Sequence, residues 1–545
     1  MADRRGLDTP VVQVDGRPLP GELYPRLRRL RVEESVHLPD RFTLRFEDAD
    51  FALFDRATFT LGTRVQIAFR TESDPVVVTE GEVTAIAVEQ GGAGHHELVV
   101  TGLDLAHRLT RTARTRTFTN MSDAAIARAV AGEYRLDADV RWQGDRHAYV
   151  MQAGRTDWAF LKERAARTGH DVWVTGTTLH VAPTPTAPGS PRTATWGKNL
   201  LRFSARFTAA DRCDEVVVHG WDGVGGQGVR GGAGDQDPGS DAPAVQQLAD
   251  AARTAFGRQK RETGRRGVAT GAEADGLATS LLSRSSSAGV VLRGEVVGDP
   301  LLGAGSTLRL EGVGQGMSGD YRLTGVEHVY GADGPYLTRF VAGMKDPATL
   351  VDLLGSTGGP ADPPPLGSVL LVGEVTNTHD GQERLARVRV RFPTLSGQDE
   401  SQWARLAVPG GGASRGIQWL PEQGDEVLVG FEFGDVHRPV VLGGLWSRQA
   451  APPEPEADQQ GKTKTRVLAS RKNSRLELVD DPKTRIVLRL GDAASALTLT
   501  ADESSLTGER TLTISADKLV LTGKQKLEIS SDGDVVVSGR KIRLN

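Results

Sequence analysis

Short apolar runs separated by turn residues dominate the first 450 positions. Val76-Val77-Val78, Glu82 to Val88 and Leu98-Val99-Val100 are β-branched stretches, and Leu308-Arg-Leu310, Tyr321 to Val329, Val388-Arg-Val390 and Val427-Leu-Val429 repeat the form. Such runs between turn residues predict strands. Three stretches follow the helical period instead. Residues 157–168 begin after Thr156, a good N-cap, and stop at Gly169, with Trp158, Leu161 and Ala165 on one face. Residues 272–284 align Ala274, Leu277, Ala278, Leu281 and Leu282 in one stripe, and a third helix covers 244–256. The pattern predicts a β-rich α+β chain, not alternating βαβ units.

Towards the C-terminus the rhythm changes. Apolar pairs with one residue between them recur at Leu497/Leu499, Leu512/Ile514, Leu519/Leu521, Leu527/Ile529, Val535/Val537 and Ile542/Leu544, and the last five pairs start 7, 8, 8 and 7 residues apart. Asp517, Gly523, Asp532-Gly533 and Gly539 fall between them. Strands this short bury one narrow face and make no core alone. A fixed period of strand plus turn predicts stacked rungs sharing one core, a β-helix, with an antiparallel meander as the plainer alternative. A single-chain shaft would leave open strand edges along its length, which intertwined copies would pair.

Four stretches rich in Pro, Gly or Asp read as connections: 183–191, 222–242, 355–367 and 450–461. Length and composition fit three or four soluble domains: 545 residues, 25% charged, 38% hydrophobic and 65 glycines. Cys213 is the one cysteine, so neither an internal disulfide nor a cysteine zinc site is available. The start has no apolar stretch of a secretory signal, and no run of about 18 apolar residues predicts a membrane helix; synthesis and first folding in a cytoplasm are expected. A net charge of −4 disfavours a general nucleic-acid binder. Residues 461–545 hold eight Lys and eight Arg against eleven acids, +5, and carry eight of the twelve lysines, which marks a separate module.

Candidate chemistry fails on context. Gly223-Val-Gly225-Gly-Gln-Gly228 matches a dinucleotide fingerprint, but Val-Arg-Gly-Gly-Ala-Gly follows where a helix must open, so a flexible loop is expected. Gly412-Ala-Ser414-Arg-Gly416 matches a nucleophile elbow, but Ile417-Gln-Trp-Leu420-Pro421 starts no helix. Glu422, Asp425 and Glu426 lie around Gly424 on a turn, where carboxylates are solvated, and His95-His96 reads as a hairpin tip. No catalytic residue, cofactor site or metal site is predicted.

Residues 367–446 resemble the OB-fold domain of VgrG-type spike proteins of contractile injection systems. The matching pieces are Gly373-Glu-Val375, Arg387-Val-Arg-Val-Arg-Phe-Pro393, Trp403-Ala-Arg405, Leu420-Pro421-Glu422-x-Gly424-Asp425-Glu426-Val427, Phe431, Gly434-Asp435 and Arg438-Pro439-Val440-Val441-x-Gly443. Upstream, Tyr149-x-x-Gln152 with Thr156-Asp157-Trp158-x-Phe160-Leu161 is similar to the family's hub helix. Val216 to Asp222 and Gly319-Asp-Tyr321 to His328 are similar to hub strands.

The resemblance implies a mainly β chain with a hub at 1–354 of two β-barrel-like subdomains with an α/β insertion at about 108–195. A linker at 355–366, an OB-fold barrel at 367–447, a linker at 448–464 and a trimeric intertwined β-helix needle at 465–545 complete the expected order. It further implies a non-enzymatic homotrimer that caps a hexameric inner tube and sits among baseplate proteins in a phage-tail-like particle, with cargo effectors as candidate further partners. The alternatives are a type VI secretion spike, a tailed-phage baseplate hub and, remotely, a tail-associated hydrolase. The short stretch between Trp446 and Val467 leaves no room for the lysozyme domain of some phage spikes, and no effector domain follows the needle, which favours the extracellular type of particle. Three copies of Ile542, Arg543, Leu544 and Asn545 would leave uncapped apolar strand ends, so a PAAR-type tip protein is expected there.

Overall fold

The computed structural model describes residues 9–543 except for 50, 72–73, 91–95, 145, 184–190, 211, 235–239, 241, 265–267, 332–333, 344–368, 382, 396–397 and 455–459. The chain forms two compact units, Met1–Leu445 and Trp446–Asn545.

The first unit is organised by one 13-stranded sheet. Across it run Leu200–Phe207, Val290–Val297, Leu337–Ala342 and Gly319–Gly331, then Leu27–Ser35, Arg41–Glu47, His96–Leu103 and Val76–Gln90, with Arg64–Phe69 and Pro10–Val14 beyond. The seam pairs Gly319–Gly331 antiparallel with Leu27–Ser35. Each side of the seam has its own core, because alternate residues point inward. Leu30, Phe42, Phe46, Ile67, Phe69, Leu98 and Val100 fill one, and Leu292, Leu308, Leu310, Tyr321, Leu323 and Phe340 fill the other. The two barrel-like subdomains thus share a continuous sheet.

Two α/β layers are inserted in the chain, one between His96–Leu103 and Leu200–Phe207 and one between Leu200–Phe207 and Val290–Val297. In the first, helices Asp123–Glu133 and Asp157–Arg167 pack with the sheet of Asp171–Thr175, Thr178–Ala182 and Asp137–Val140 around Ile126, Val130, Leu161 and Val172. In the second, helices Pro243–Phe256 and Gly271–Ala288 accompany the sheet of Gln227–Gly234, Glu215–Asp222 and Lys260–Thr263. The stripe Ala274, Leu277, Ala278 and Leu282 is buried there against Val216 and Val218. The glycine-rich stretch 227–234, expected as loop, is a strand. Gly231 lies under the helix, where a Cβ would stand 2.5 Å from Ala274 Cβ and from Asp275 N. Close packing, not flexibility, selects glycine there.

Residues 371–444 form a small five-stranded barrel in the order Arg389–Arg391, Leu371–Asn377, Glu426–Phe431, Pro439–Gly444, Arg405–Leu406. The reciprocal backbone bonds of Val388 and Ala404 close it. Val375, Val390, Phe392, Val427, Val429 and Val441 are its core. The second unit carries an antiparallel meander of five strands, Thr465–Ala469, Arg475–Val479, Arg485–Arg489, Ala496–Thr500 and Ser504–Thr507. The plainer alternative to the β-helix therefore holds for 465–507 within one chain. From 508 to 543 no described residue joins a strand of its own chain.

Candidate functional site

The hub motif builds a buried polar knot. Thr156 caps the helix Asp157–Arg167 by accepting from the Ala159 N–H at 3.2 Å. Asp157, wholly buried at the first turn, accepts from Arg116 Nη2 at 2.6 Å, Tyr134 Oη at 2.6 Å and Gln152 Nε2 at 2.8 Å. Gln152 Oε1 in turn accepts from Arg116 Nε at 2.8 Å. Burial, then the bond to Asp157, pushes the Tyr134 hydroxyl up to about 12. A carboxylate at a helix N-terminus is favoured by the helix dipole. Here it also ties the antiparallel strand pair Ala113–Met121 and His147–Thr156 to the helix.

That strand pair seats the small barrel. The Met151 N–H donates to His437 Nε2 at 2.9 Å, His437 Nδ1 meets Asp435 Oδ1 at 2.7 Å, and Asp435 Oδ2 accepts from Arg167 Nη2 at 2.8 Å. The Met151 donor needs a lone pair on Nε2, which assigns the ring proton to Nδ1. Burial pushes the Asp435 carboxyl up, but His437 and Arg167 outweigh it and hold it well below the usual carboxylate range. Thr117 Oγ1 donates to Asp399 Oδ1 at 2.7 Å, Arg438 Nη1 donates to Trp221 O at 3.1 Å, and Tyr149 Oη donates to Glu400 O. Tyr149, Met151 and Ala153 pack with Leu395 and Val436. A cleft of about 460 Å³ remains beside this junction. Its Arg164 and Arg405 are paired with Asp123 and Glu432, so they serve the scaffold. Of these residues the sequence pattern marks Tyr149, Arg405, Asp435 and Arg438 only as motif letters and does not mark Arg167 or His437. The Asp-x-His spacing of Asp435 and His437 is the one available signal.

The structure separates the residues that looked chemical. Gly223–Gly226 are the turn between Glu215–Asp222 and Gln227–Gly234, held by Asp222 Oδ1 accepting from Val224 N and Gly225 N at 2.9 Å each. Ser414, at φ 54°, sits on the two-residue turn between Gly411–Gly412 and Arg415–Gly416, with no helix after it. Asp425 accepts from Glu422 N at 2.7 Å, closing its own turn. His96 opens its strand with the ring 4.6 Å from Phe51, and His95 lies outside the described residues. Among the described residues no three His, Cys, Asp or Glu gather as a metal site, and no helix is long and apolar enough to cross a membrane. At the C-terminal end Ile542 and Arg543 are exposed, while Leu544 and Asn545 lie outside the described residues.

The meander of the second unit is amphipathic in an unusual sense. Leu468, Leu476, Leu488, Leu497 and Leu506 stand opposite one another strand by strand, and beside them run Leu478, Ile486 and Leu499. Apart from Leu476, every one is exposed in the single chain. The other face is mixed and mostly half-buried, carrying Val467, Val479 and Val487 beside Glu477, which is paired to Arg475 and Arg489. Leu512, Ile514, Leu519, Leu521, Leu527, Ile529, Val535 and Val537 continue the apolar series, also exposed.

A sequence-family model described as the Alg8 N-terminal domain matches residues 33–331, 299 of the 545, and one described as the type VI secretion system/phage-baseplate injector OB domain matches 371–446. No curated protein matches the chain. Among solved structures, the half-lidded Francisella PdpA–VgrG complex aligns over 91% of this chain and 87% of that one, at 9% identity and a TM-score of 0.53. The lidless PdpA–VgrG complex covers 92% and 98%, at 10% identity and a TM-score of 0.52. An E. coli type VI secretion component, described as structurally similar to the T4 bacteriophage tail proteins gp27 and gp5, covers 80% and 99%, at 14% identity and a TM-score of 0.50. The sheet with its α/β layers and the barrel behind it thus recur in those proteins as a shared fold, and the chain belongs to the Alg8 N-terminal domain family, with the VgrG-like fold of the baseplate spikes.

Proposed function

We propose that this chain is the non-enzymatic spike of a contractile injection particle of the phage-tail-like, extracellular kind, working as a homotrimer. The observation that carries this reading is the bare leucine and isoleucine face of the meander, continued by apolar pairs whose backbone joins no strand of its own chain. Each such side chain contributes about 1.5–3 kcal/mol on full burial, and eight of them form the meander face. Three copies facing a common axis bury that face, and interchain pairing satisfies the extended segment beyond Thr507. The hub supports the same symmetry. The seam divides each chain's sheet into two barrel-like sets, hence six in three copies, matching a hexameric inner tube.

Function then follows from mechanics. Sheath contraction drives tube and spike forward together, and a fully hydrogen-bonded shaft transmits the axial push that punctures the target envelope. Baseplate proteins surround the hub, and a PAAR-type tip protein covers Ile542, Arg543, Leu544 and Asn545. Light scattering on the full chain tests the assembly: three times the chain mass of 58.3 kDa is expected, and a stable 58.3 kDa species would overturn the trimer. Pull-down with the tip protein tests the far end. Deleting residues 540–545 is expected to abolish capture, and retained capture would remove those residues from the interface.

A further inference from the structure

A buried histidine sits where the chain leaves the first barrel-like half. Ala106–Leu109 is a single helical turn between strands His96–Leu103 and Ala113–Met121. His107 on that turn is 4% exposed, and its Nε2 lies 3.0 Å from Glu82 Oε2 of strand Val76–Gln90. Glu82 also accepts from Arg108 Nε at 3.0 Å and from Arg108 Nη2. The other ring nitrogen, His107 Nδ1, accepts from Arg111 Nε at 3.1 Å. An arginine N–H only donates, so Nδ1 offers a lone pair and the ring proton sits on Nε2, towards Glu82. The neutral ring therefore fits both neighbours, and the imidazolium fits only one. Arg111 is exposed and forms no ion pair among the described residues, so the imidazole is its tether. The charged groups facing the ring are Glu82, Arg108 and Arg111, while Asp104 accepts from Ala106 N at 2.9 Å at the start of the same turn. Helix Asp157–Arg167 shares with Leu105, Ala106 and Leu109 an apolar core.

We propose that this turn is an acid-sensitive latch between the first barrel-like half and the strand pair that seats the small barrel. A proton taken up at His107 Nδ1 sets an imidazolium N–H against the Arg111 N–H, expels Arg111 and frees the connector 110–112. That connector leads into strand Ala113–Met121, whose Thr117 bonds Asp399 of the barrel. Burial lowers the ring's proton affinity, the bond to Glu82 raises it, and Arg111 and Arg108 lower it again, leaving it below the ordinary histidine value. A base held low supports the closed turn above its ordinary value and loses that support as pH falls through the lowered one. The latch is a property of one chain and does not depend on the trimer.

Hydrogen exchange of the full chain tests the latch, read by mass spectrometry on peptides spanning 105–117 at pH 7.5 and pH 5 and corrected for intrinsic rates. Protection across Thr110–Ala113 is expected to fall about fivefold in acid. His107→Gln does not titrate, yet its amide donates to Glu82 and accepts for Arg111, so high protection is expected at both pH values. Arg111→Met, a change at an exposed side chain, is expected to leave the connector open at both. Asp104→Asn is expected to keep the acid-dependent loss. Equal wild-type protection at the two pH values would overturn the latch, whatever the variants do. So would a fall in acid that persists in His107→Gln or in Arg111→Met. A fall that disappears in Asp104→Asn would move its cause to that carboxyl and overturn the role of His107.

Discussion

Asp157 shows how much of the hub rests on single polar side chains. Three donors converge on its buried carboxylate, and Arg116 and Gln152 also bond each other. Removing the acceptor strands those donors, so Asp157→Ala is expected to destabilise the hub by about 3 kcal/mol, read by chemical denaturation. A loss no larger than on removing an exposed carboxylate such as Asp250 would show that the knot is dispensable. Three other carboxyls give pH dependences of both signs. Burial raises Asp104 to about 7, and burial with the charges of Glu34 and Asp104 raises Asp40. A carboxyl raised on folding supports the fold fully below its unfolded value and loses that support as pH rises through the folded value. Asp435, held low, supports the fold above the ordinary carboxylate range and loses that support as pH falls below it. The thermal midpoint of the full chain is therefore expected to peak in mild acid and to fall by roughly 3 °C between pH 5 and 8. Asp104→Asn, which retains an acceptor for the Ala106 N–H, should flatten that fall. An unchanged slope in the variant would remove Asp104 as the cause.

At the scale of elements, alternation and capping are legible in the sequence and close packing is not. The strands Val76–Gln90 and Gly319–Gly331 and the helix from Thr156 follow from patterns that report on one element at a time. The strand Gln227–Gly234 escapes such a reading because its glycines answer to a helix well downstream in the chain. Helix Asp123–Glu133 escapes it for another reason: its buried face is mostly alanine, with Ile126 and Val130 the larger members, so the stripe is faint. The junction is legible as motif letters only, since nothing local says that Asp435 and His437 meet Arg167 and Met151. The glycine argument has a direct check. Gly231→Ala must displace Ala274 and is expected to cost about 1–3 kcal/mol, whereas Gly228, with open space where its Cβ would be, is expected to tolerate alanine within about 0.5 kcal/mol. Equal effects at the two positions in urea unfolding would mean that backbone freedom, not contact with the helix, sets the need for glycine.

For the whole molecule, the decisive asymmetry is between a hub that buries its own cores and a C-terminal unit that leaves its best apolar face open. A globular chain seldom exposes contiguous leucines unless something covers them. Here they fall in register on successive strands, so one flat surface, not scattered residues, awaits a partner. If that partner is two further copies, a charge at the middle of the face enters the dry centre of the shaft three times, while the same charge on the opposite face remains in water. Leu488, 55% exposed in the single chain, is the central position, and Thr498 on the neighbouring strand points the other way. Leu488→Asp should leave a single chain's fold nearly untouched, because the side chain already faces solvent, yet reduce the particle from three chain masses to one, 58.3 kDa, at micromolar concentration. Thr498→Asp should leave the trimer mass unchanged. Because association and folding are linked, the wild-type midpoint should also rise with protein concentration and that of Leu488→Asp should not. A trimer that survives Leu488→Asp but dissociates with Thr498→Asp would mean that the opposite face is the buried one, and the leucines would then need a different partner.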